Sequence, residues 1–96
     1  IDWDRDAKNI AALIHGMNPA PKAYTTYNNQ PLKILRAGVG DGSGKPGHIL
    51  GFEKDKGLKI GCKSGTVYIR QIQPSGGKIM NIEDYLRGHK LEGCFI

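Results

Sequence analysis

The stretch that decides the fold is Gln73-Pro74-Ser75-Gly76-Gly77-Lys78-Ile79-Met80-Asn81-Ile82-Glu83-Asp84-Tyr85-Leu86-Arg87-Gly88. Pro74 and the pair Gly76-Gly77 predict that a strand ends here and the chain turns. Asn81 favours the start of a helix, and Asp84 stands three residues later, where it would complete an imperfect capping box. Gly88 predicts the end of that helix in the left-handed backbone conformation. The order is therefore a strand, a tight turn with a basic residue, and a short helix.

The region before this stretch is predicted to be β structure. Short apolar runs alternate with turns rich in Asn, Gly and Lys, which is typical of antiparallel strands. The predicted strands are Ala23–Tyr27, Leu32–Gly40, His48–Phe52, Leu58–Cys62 and Thr66–Ile72. Asn28-Asn29-Gln30-Pro31 is predicted to be a hairpin turn between the first two. The last strand has apolar residues on both faces, as expected where a strand curls into a barrel.

A helix is predicted at the start of the chain, from Asp4 to about Gly16. Its apolar residues recur at helical spacing and form a stripe. The members of the stripe are Trp3, Ala7, Ile10, Ile14 and Met17, widened by Ala11 and Leu13. Asn18-Pro19-Ala20-Pro21 forms a corner, because proline lacks the donor that continues a helix.

These elements predict one domain over residues 1–96 in the mainly β class with peripheral helices. The expected architecture is a small OB-like open β-barrel, preceded by one N-terminal helix and closed by a short C-terminal helix. An SH3-like barrel is the second choice. The chain contains no apolar run near the ~20 residues of a membrane-spanning helix, so no membrane partner is expected.

Charge is the compositional clue to partners. The chain has 14 Lys and Arg against 9 Asp and Glu, for a net charge of +5. Most of the basic residues follow the first helix, whereas Asp2, Asp4 and Asp6 cluster at the start. This asymmetry favours a polyanionic partner, because phosphates are the usual ligands of such basic surfaces.

The sequence offers no set of residues for catalysis or metal binding. Gly40-x-Gly42-x-Gly44-Lys45 lacks the spacing of a phosphate-binding P-loop, and no helix is predicted after it. The three histidines lie far apart and share no ligand spacing with Cys62 or Cys94, so no metal is expected. The two cysteines are expected to be reduced thiols. The residues therefore favour a binding domain over a complete enzyme.

The order of these segments resembles the C-terminal domain of the methionyl-tRNA formyltransferase family. The resemblance rests on the Gln73-Pro74 turn, the ending Leu86-Arg87-Gly88 and several earlier segments. Those earlier segments are Ile1-Asp2-Trp3, Ile14 to Thr25, Leu32-Lys33-Ile34, Gly44-Lys45-Pro46-Gly47, Gly57-Leu58 and Gly61-Cys62. The family usually has Trp where Ala20 stands and Gly where Lys22 stands. It often has Glu and Lys where Ser75 and Gly77 stand.

The resemblance implies a non-catalytic domain of a larger cytoplasmic enzyme. In this family an N-terminal Rossmann-like domain of the same polypeptide transfers formyl from 10-formyltetrahydrofolate to Met on initiator tRNA, at translation initiation. The C-terminal barrel presents a basic face to the acceptor arm of that tRNA. No cofactor is expected in this chain itself.

The residues expected to contact nucleic acid are basic residues of the barrel and its C-terminal end. They are Lys33, Arg36, Lys45, Lys63, Lys78, Arg87 and Lys90. Arg87 and Lys90 are favoured because they bracket the motif that ends at Gly88. Tyr24, Tyr27 and Tyr68 could stack on bases, although packing within the domain is the more common role of such residues.

Two alternatives remain open. The first is a different parent enzyme, since related C-terminal domains occur in formyltransferases that act on amino sugars of nucleotide sugars and in formyltetrahydrofolate hydrolase/dehydrogenase. A freestanding OB-type module that binds single-stranded nucleic acid is the other alternative. It predicts more exposed aromatic residues on the barrel than this sequence supplies.

Overall fold

The computed structural model describes residues 1–17 and 22–96. The predicted corner Asn18-Pro19-Ala20-Pro21, including the departure from the family at Ala20, lies outside the described residues. The elements are α1 (Ala7–Gly16), β1 (Ala23–Tyr27), β2 (Gln30–Gly40), β3 (Ile49–Glu53), β4 (Gly57–Gly61), β5 (Thr66–Pro74), β6 (Met80–Asn81) and α2 (Ile82–Gly88). No helix within these ranges is long and apolar enough to cross a membrane.

The strands form one antiparallel sheet in the order β1-β2-β5-β4-β3, and β6 pairs with β5. The predicted mainly β class with an N-terminal and a C-terminal helix is confirmed, and the sheet is open. Strand β5 is central, since it pairs with β2, β4 and β6. The predicted strands are all present, with bounds shifted by at most two residues and the short β6 added.

The hairpin between β1 and β2 is confirmed. Asn28 and Asn29 have positive φ angles of 51° and 64°. A two-residue turn with both residues left-handed matches the right-handed twist of the strands that it joins, and asparagine tolerates this backbone best after glycine. Gln30 and Pro31, predicted as part of the turn, already belong to β2 and pair with Tyr27 and Thr26.

An irregularity in β2 was not predicted. Ile34 pairs with Ile72, whereas Arg36 pairs with Gln71, so the register shifts around Leu35. A bulge of this kind places an extra residue in one strand and bends it. Ile34 and Leu35 are therefore both buried, and Arg36 emerges on the exposed surface.

The C-terminal tail, residues 91–96, bridges the two outer strands of the open sheet. The Ile49 N–H of β3 donates to the Gly93 carbonyl at 2.8 Å. The Ile96 N–H donates to the Thr26 carbonyl of β1 at 3.0 Å. The tail thus satisfies backbone groups on both edges, which would otherwise be open to pairing with another chain.

An aromatic cluster fixes this tail to the core. Phe95 is only 3% exposed. Its ring stacks on Trp3 with centroids 5.9 Å apart and meets Tyr27 edge-on at 5.8 Å. The Trp3 Nε1–H donates to Thr25 Oγ1 at 2.9 Å, so the buried indole keeps a hydrogen-bond partner. The two ends of the chain are therefore packed together.

Helix α1 packs on β2 and β5 through the predicted stripe. Its buried residues are Ala7, Ile10, Ala11 and Ile14. The prediction was wrong at two points. The helix begins at Ala7 rather than Asp4, because Asp2 accepts the Asp4 N–H and pairs with Arg5 in a preceding turn. Leu13, expected to widen the stripe, is exposed.

Helix α2 is confirmed, but its predicted capping is not. Asn81 stands at the N-cap without a side-chain cap hydrogen bond. Asp84 does not reach back to it, because its carboxylate binds the Arg87 guanidinium at 2.8 Å. Gly88 is not left-handed: it ends the helix, and His89 continues in extended conformation with φ −140°. This exit lets Leu91 enter the core.

Candidate nucleic-acid interface

All seven basic residues predicted to contact nucleic acid are exposed, but they lie on separate parts of the surface. Lys33 and Arg36 belong to β2, Lys45 precedes β3, Lys63 precedes β5 and Lys78 precedes β6. Arg87 belongs to α2, and Lys90 follows it. Of the seven, Arg36 lines a cleft on the surface of the described residues. Arg70, which was not among the predicted contacts, lines the same cleft.

The two favoured cations at the C-terminal end are both engaged in ion pairs. Arg87 binds Asp84 at 2.8 Å, and Lys90 lies 3.5 Å from Glu92. All four side chains are exposed, and exposed pairs of this kind contribute roughly 0–1 kcal/mol. These carboxylates nevertheless offset the positive potential that an approaching phosphate would meet.

A second group of cations lies on the face of the sheet. We call Arg36, Lys56, Lys59 and Arg70 the sheet-face patch. Arg36 and Arg70 line one cleft of about 400 Å³, with His15, Leu35 and Ala37. Arg70, Lys56 and Lys59 line a neighbouring cleft of about 370 Å³. Arg70 is common to both clefts and connects them.

The topology explains why these residues meet. Tyr68 on β5 pairs with Gly38 on β2 and with Lys59 on β4. Side chains two residues apart in a strand share a face, so Arg70 lies on the same side as Tyr68. The bulge in β2 turns Arg36 toward that cleft. Residues from three strands and the β3–β4 turn thus converge on one surface.

Arg70 is held in a defined orientation. Its Nε–H donates to the Lys56 carbonyl at 3.0 Å. Its guanidinium lies against β2 at Gly38, where a Cβ atom would come within 2.6 Å of Nη2. Among residues 1–17 and 22–96, no carboxylate forms an ion pair with Arg36, Lys56 or Arg70. These three cations differ in this respect from Arg87 and Lys90.

Lys59 is the exception within the patch. Its Nζ lies 3.6 Å from Glu53 Oε2 and 5.7 Å from the centre of the Tyr68 ring. The Tyr68 hydroxyl donates to the same carboxylate oxygen at 2.8 Å. This hydrogen bond, assisted by the charges of Lys59 and Lys56, lowers the pKa of Glu53, so the carboxylate stays charged and offsets Lys59. Asp41 adds a second carboxylate to that cleft.

The tyrosines are only partly available for stacking on bases. Tyr68 is 6% exposed and lies beneath the patch as a packed residue. Tyr27 is half-buried, and its hydroxyl donates to the Glu92 carbonyl at 3.2 Å. Tyr24, on β1, is 55% exposed. The common packing role is confirmed for Tyr68.

The groups that could suggest catalysis have structural roles. His15 Nε2 accepts the Ala37 N–H at 3.3 Å, beside the bulge in β2. His89 stacks on Tyr85 with centroids 4.4 Å apart. Burial raises the pKa of the Cys62 thiol to about 11, so it is not a nucleophile at neutral pH. The described part of the chain holds no cluster of three or more metal-ligating side chains.

Sequence reasoning placed Lys56, Lys59 and Arg70 on the barrel but did not select them as contacts. One signal was present. The alternation of side chains in β5 puts Arg70 on the same face as Tyr68. Strand β2 carries Gly38 and Gly40 in its interior, although extended backbone does not require glycine. Glycines inside a strand often mark the close approach of another group. The alternation alone does not give the strand order, so it did not show which residues of β2 and β4 lie beside Arg70.

The fold and this surface define a small antiparallel β domain with flanking helices and a cationic face. Residues 1–90 match the family described as formyl transferase, C-terminal domain, and the chain belongs to that family. The methionyl-tRNA formyltransferase of Geobacter metallireducens is 39% identical over 92 residues, which cover 96% of this chain and 29% of the relative.

Two further relatives with the same name match this chain at similar identity. The methionyl-tRNA formyltransferase of Geotalea daltonii is 36% identical over 91 residues, covering 95% of this chain and 29% of the relative. That of Clostridium beijerinckii is 38% identical over 94 residues, covering 96% of this chain and 30% of the relative. The chain therefore spans less than a third of the length of these relatives.

Proposed function

We propose that the chain is the tRNA-binding C-terminal domain of a methionyl-tRNA formyltransferase. The domain offers a cationic face to the acceptor arm of initiator tRNA. It thereby helps to place the methionyl end in an N-terminal Rossmann-like domain of the same polypeptide. That domain transfers formyl from 10-formyltetrahydrofolate to the amino group of Met. The reaction belongs to translation initiation in the cytoplasm.

The observation that carries this proposal is the match to relatives named methionyl-tRNA formyltransferase over 95–96% of the chain. Two properties support an RNA partner in particular. The net charge of +5 favours a polyanion. Arg36, Lys56 and Arg70 are exposed cations without an ion-pair partner in the described residues. Phosphate contacts position a nucleic acid without reading its bases, which is the task of an accessory domain.

The freestanding OB-type module receives less support. Such modules stack bases on exposed aromatic rings. Among the described aromatic residues, only Tyr24 and Phe52 are exposed. They lie on β1 and β3, at opposite edges of the sheet, and do not form a platform.

The test is binding of the 96-residue chain to fluorescently labelled initiator tRNA, followed by anisotropy across a salt series. We expect binding that weakens steeply with salt, because each neutralised phosphate releases a counterion. A second assay offers the full-length parent Met-tRNA and an amino-sugar nucleotide, each with 10-formyltetrahydrofolate. Formylation of the sugar amine alone would overturn the proposal in favour of a sugar-nucleotide formyltransferase.

A further inference from the structure

Arg70 has a guanidinium in a fixed orientation, and its terminal N–H groups are left to bind a ligand from outside the domain. Its Nε–H is bound to the Lys56 carbonyl at 3.0 Å, which fixes the plane of the guanidinium. The terminal N–H groups lie over β2 at Gly38 and have no hydrogen-bond partner among residues 1–17 and 22–96. An oriented guanidinium binds carboxylate or phosphate through paired N–H donors.

Gly38 is the floor of this site. Its φ angle is not positive, so the backbone does not require glycine there. A Cβ atom would lie 2.8 Å from Arg70 Cζ and 2.6 Å from Nη2, so any other residue would displace the guanidinium. Glycine weakens the interior of a strand, and a close approach is the usual compensation.

Lys56 and Lys59 also lie beside Arg70, but of the three described clefts that Arg70 lines, only the one shared with Arg36 has no carboxylate in its lining. Arg36 shares the cleft of about 400 Å³, which no carboxylate lines. The neighbouring cleft of about 370 Å³ contains Glu53 and Asp41 and is therefore less attractive to an anion. The charge distribution thus selects the Arg36 side.

We infer that Arg70 and Arg36 form a preoriented site for a phosphodiester group of the tRNA backbone, with Gly38 as its floor. The inference rests on the proposed function and assigns the RNA contact to a specific site. Lys59, offset by Glu53, is outside the site, and Arg87 and Lys90 are peripheral to it. The chemistry is bidentate, so Lys is a poor substitute for Arg at position 70.

The first test compares Arg70→Lys with Arg87→Lys in tRNA binding by the 96-residue chain. Both substitutions keep the charge, and both residues are exposed. We expect Arg70→Lys to weaken binding about tenfold, because a charged bidentate contact is lost, and Arg87→Lys to change it less than about twofold. Thermal unfolding of both variants checks that the domain is intact. Equal effects of the two variants would overturn the inference while leaving the proposed function in place.

The second test observes the site directly. The side-chain Nε–H signal of Arg70 is followed by NMR during titration with initiator tRNA and, separately, with pyrophosphate. We expect a shift with tRNA at concentrations well below those needed with pyrophosphate. Pyrophosphate that displaces tRNA at comparable concentration would reassign the site to a free phosphate ligand and overturn the inference. Absence of any tRNA binding by the chain at low salt would contradict the proposed function. An Arg70 signal that responds to neither titrant would overturn the site itself.

Discussion

The C-terminal end and the sheet face both carry exposed arginines, and they differ in what surrounds the charge. At the C-terminal end, Arg87 has its own carboxylate partner in Asp84. On the sheet face, Arg36 and Arg70 have no ion-pair partner among the described residues, and Arg70 is held by a backbone carbonyl instead. Exposure and charge therefore do not by themselves identify a phosphate contact. The neighbouring carboxylates decide how much positive potential remains.

The largest expected effect concerns the structure that holds the C-terminal region in place. Phe95→Ala removes a ring that packs on Trp3 and Tyr27, and we expect it to destabilise the chain by about 3–5 kcal/mol. Urea denaturation measures the change. Cys94→Ser, at an exposed neighbour in the same tail, is the control and is expected to stay within about 0.5 kcal/mol. A small effect of Phe95→Ala would show that the tail does not anchor this region.

The next largest effect is a difference in stability between alanine substitutions at two glycines of β2, Gly38 and Gly40. A Cβ at Gly40 would lie 2.4 Å from Cε2 of the buried Tyr68 ring, whereas one at Gly38 would meet the guanidinium of the exposed Arg70, which can be displaced into solvent at the cost of its hydrogen bond to Lys56. We expect Gly40→Ala to destabilise the fold by about 1–3 kcal/mol and Gly38→Ala by less. In tRNA binding, Gly38→Ala is expected to weaken affinity although its stability is nearly retained. Thermal unfolding and anisotropy together test this, and the reverse order would contradict the structure.

A smaller effect is expected when the C-terminal cations lose their ion-pair partners and so become unpaired like Arg36 and Arg70. Asp84→Asn combined with Glu92→Gln removes the carboxylates beside Arg87 and Lys90. We expect tRNA affinity to rise about threefold, within the range of exposed ion pairs. Asp4→Asn combined with Asp6→Asn is the matched control, because it also removes two exposed carboxylates, and neither has an ion pair in the described structure. Equal gains would show that only net charge matters.

The smallest effect concerns Glu53. Its pKa is lowered chiefly by the Tyr68 hydroxyl. A carboxylate with a lowered folded pKa stabilises the fold above its unfolded pKa, and this contribution disappears as the pH falls through the folded pKa. Tyr68→Phe is therefore expected to raise the pKa of Glu53 and to reduce the acid-dependent part of the stability. NMR titration of the Glu53 carboxyl carbon measures the shift, and an unchanged pKa would contradict the hydrogen bond as its cause.

The local elements of the fold were predictable because their signals are local. Asn28-Asn29 encodes a turn in two residues, and the stripe of α1 follows from its own spacing. The bulge at Leu35 was not predictable, since it depends on how β2 meets β5. The contact between Trp3 and Phe95 joins the two ends of the chain, and no local pattern announces it.

The sequence predicted the kind of partner that the candidate site would bind, but not most of the residues that form the site. Net charge indicated a polyanion, and Arg36, one of the seven residues expected to contact nucleic acid, lines a cleft with Arg70. Arg70 itself was passed over because its environment depends on strand order and on the turn that supplies the Lys56 carbonyl. The ion pair of Lys90 with Glu92 depends on side-chain geometry that sequence spacing does not fix. The nucleic-acid contacts predicted for all seven residues stay predictions.

The most direct test of the account is a comparison of two double charge reversals in binding to initiator tRNA at one fixed low salt concentration. Arg36→Glu/Arg70→Glu reverses the unpaired cations, and Arg87→Glu/Lys90→Glu reverses the paired ones. We predict that the first weakens binding about a hundredfold, because two charged contacts are lost, and the second less than tenfold. A larger loss from Arg87→Glu/Lys90→Glu would contradict the account and place the RNA contact on the C-terminal end.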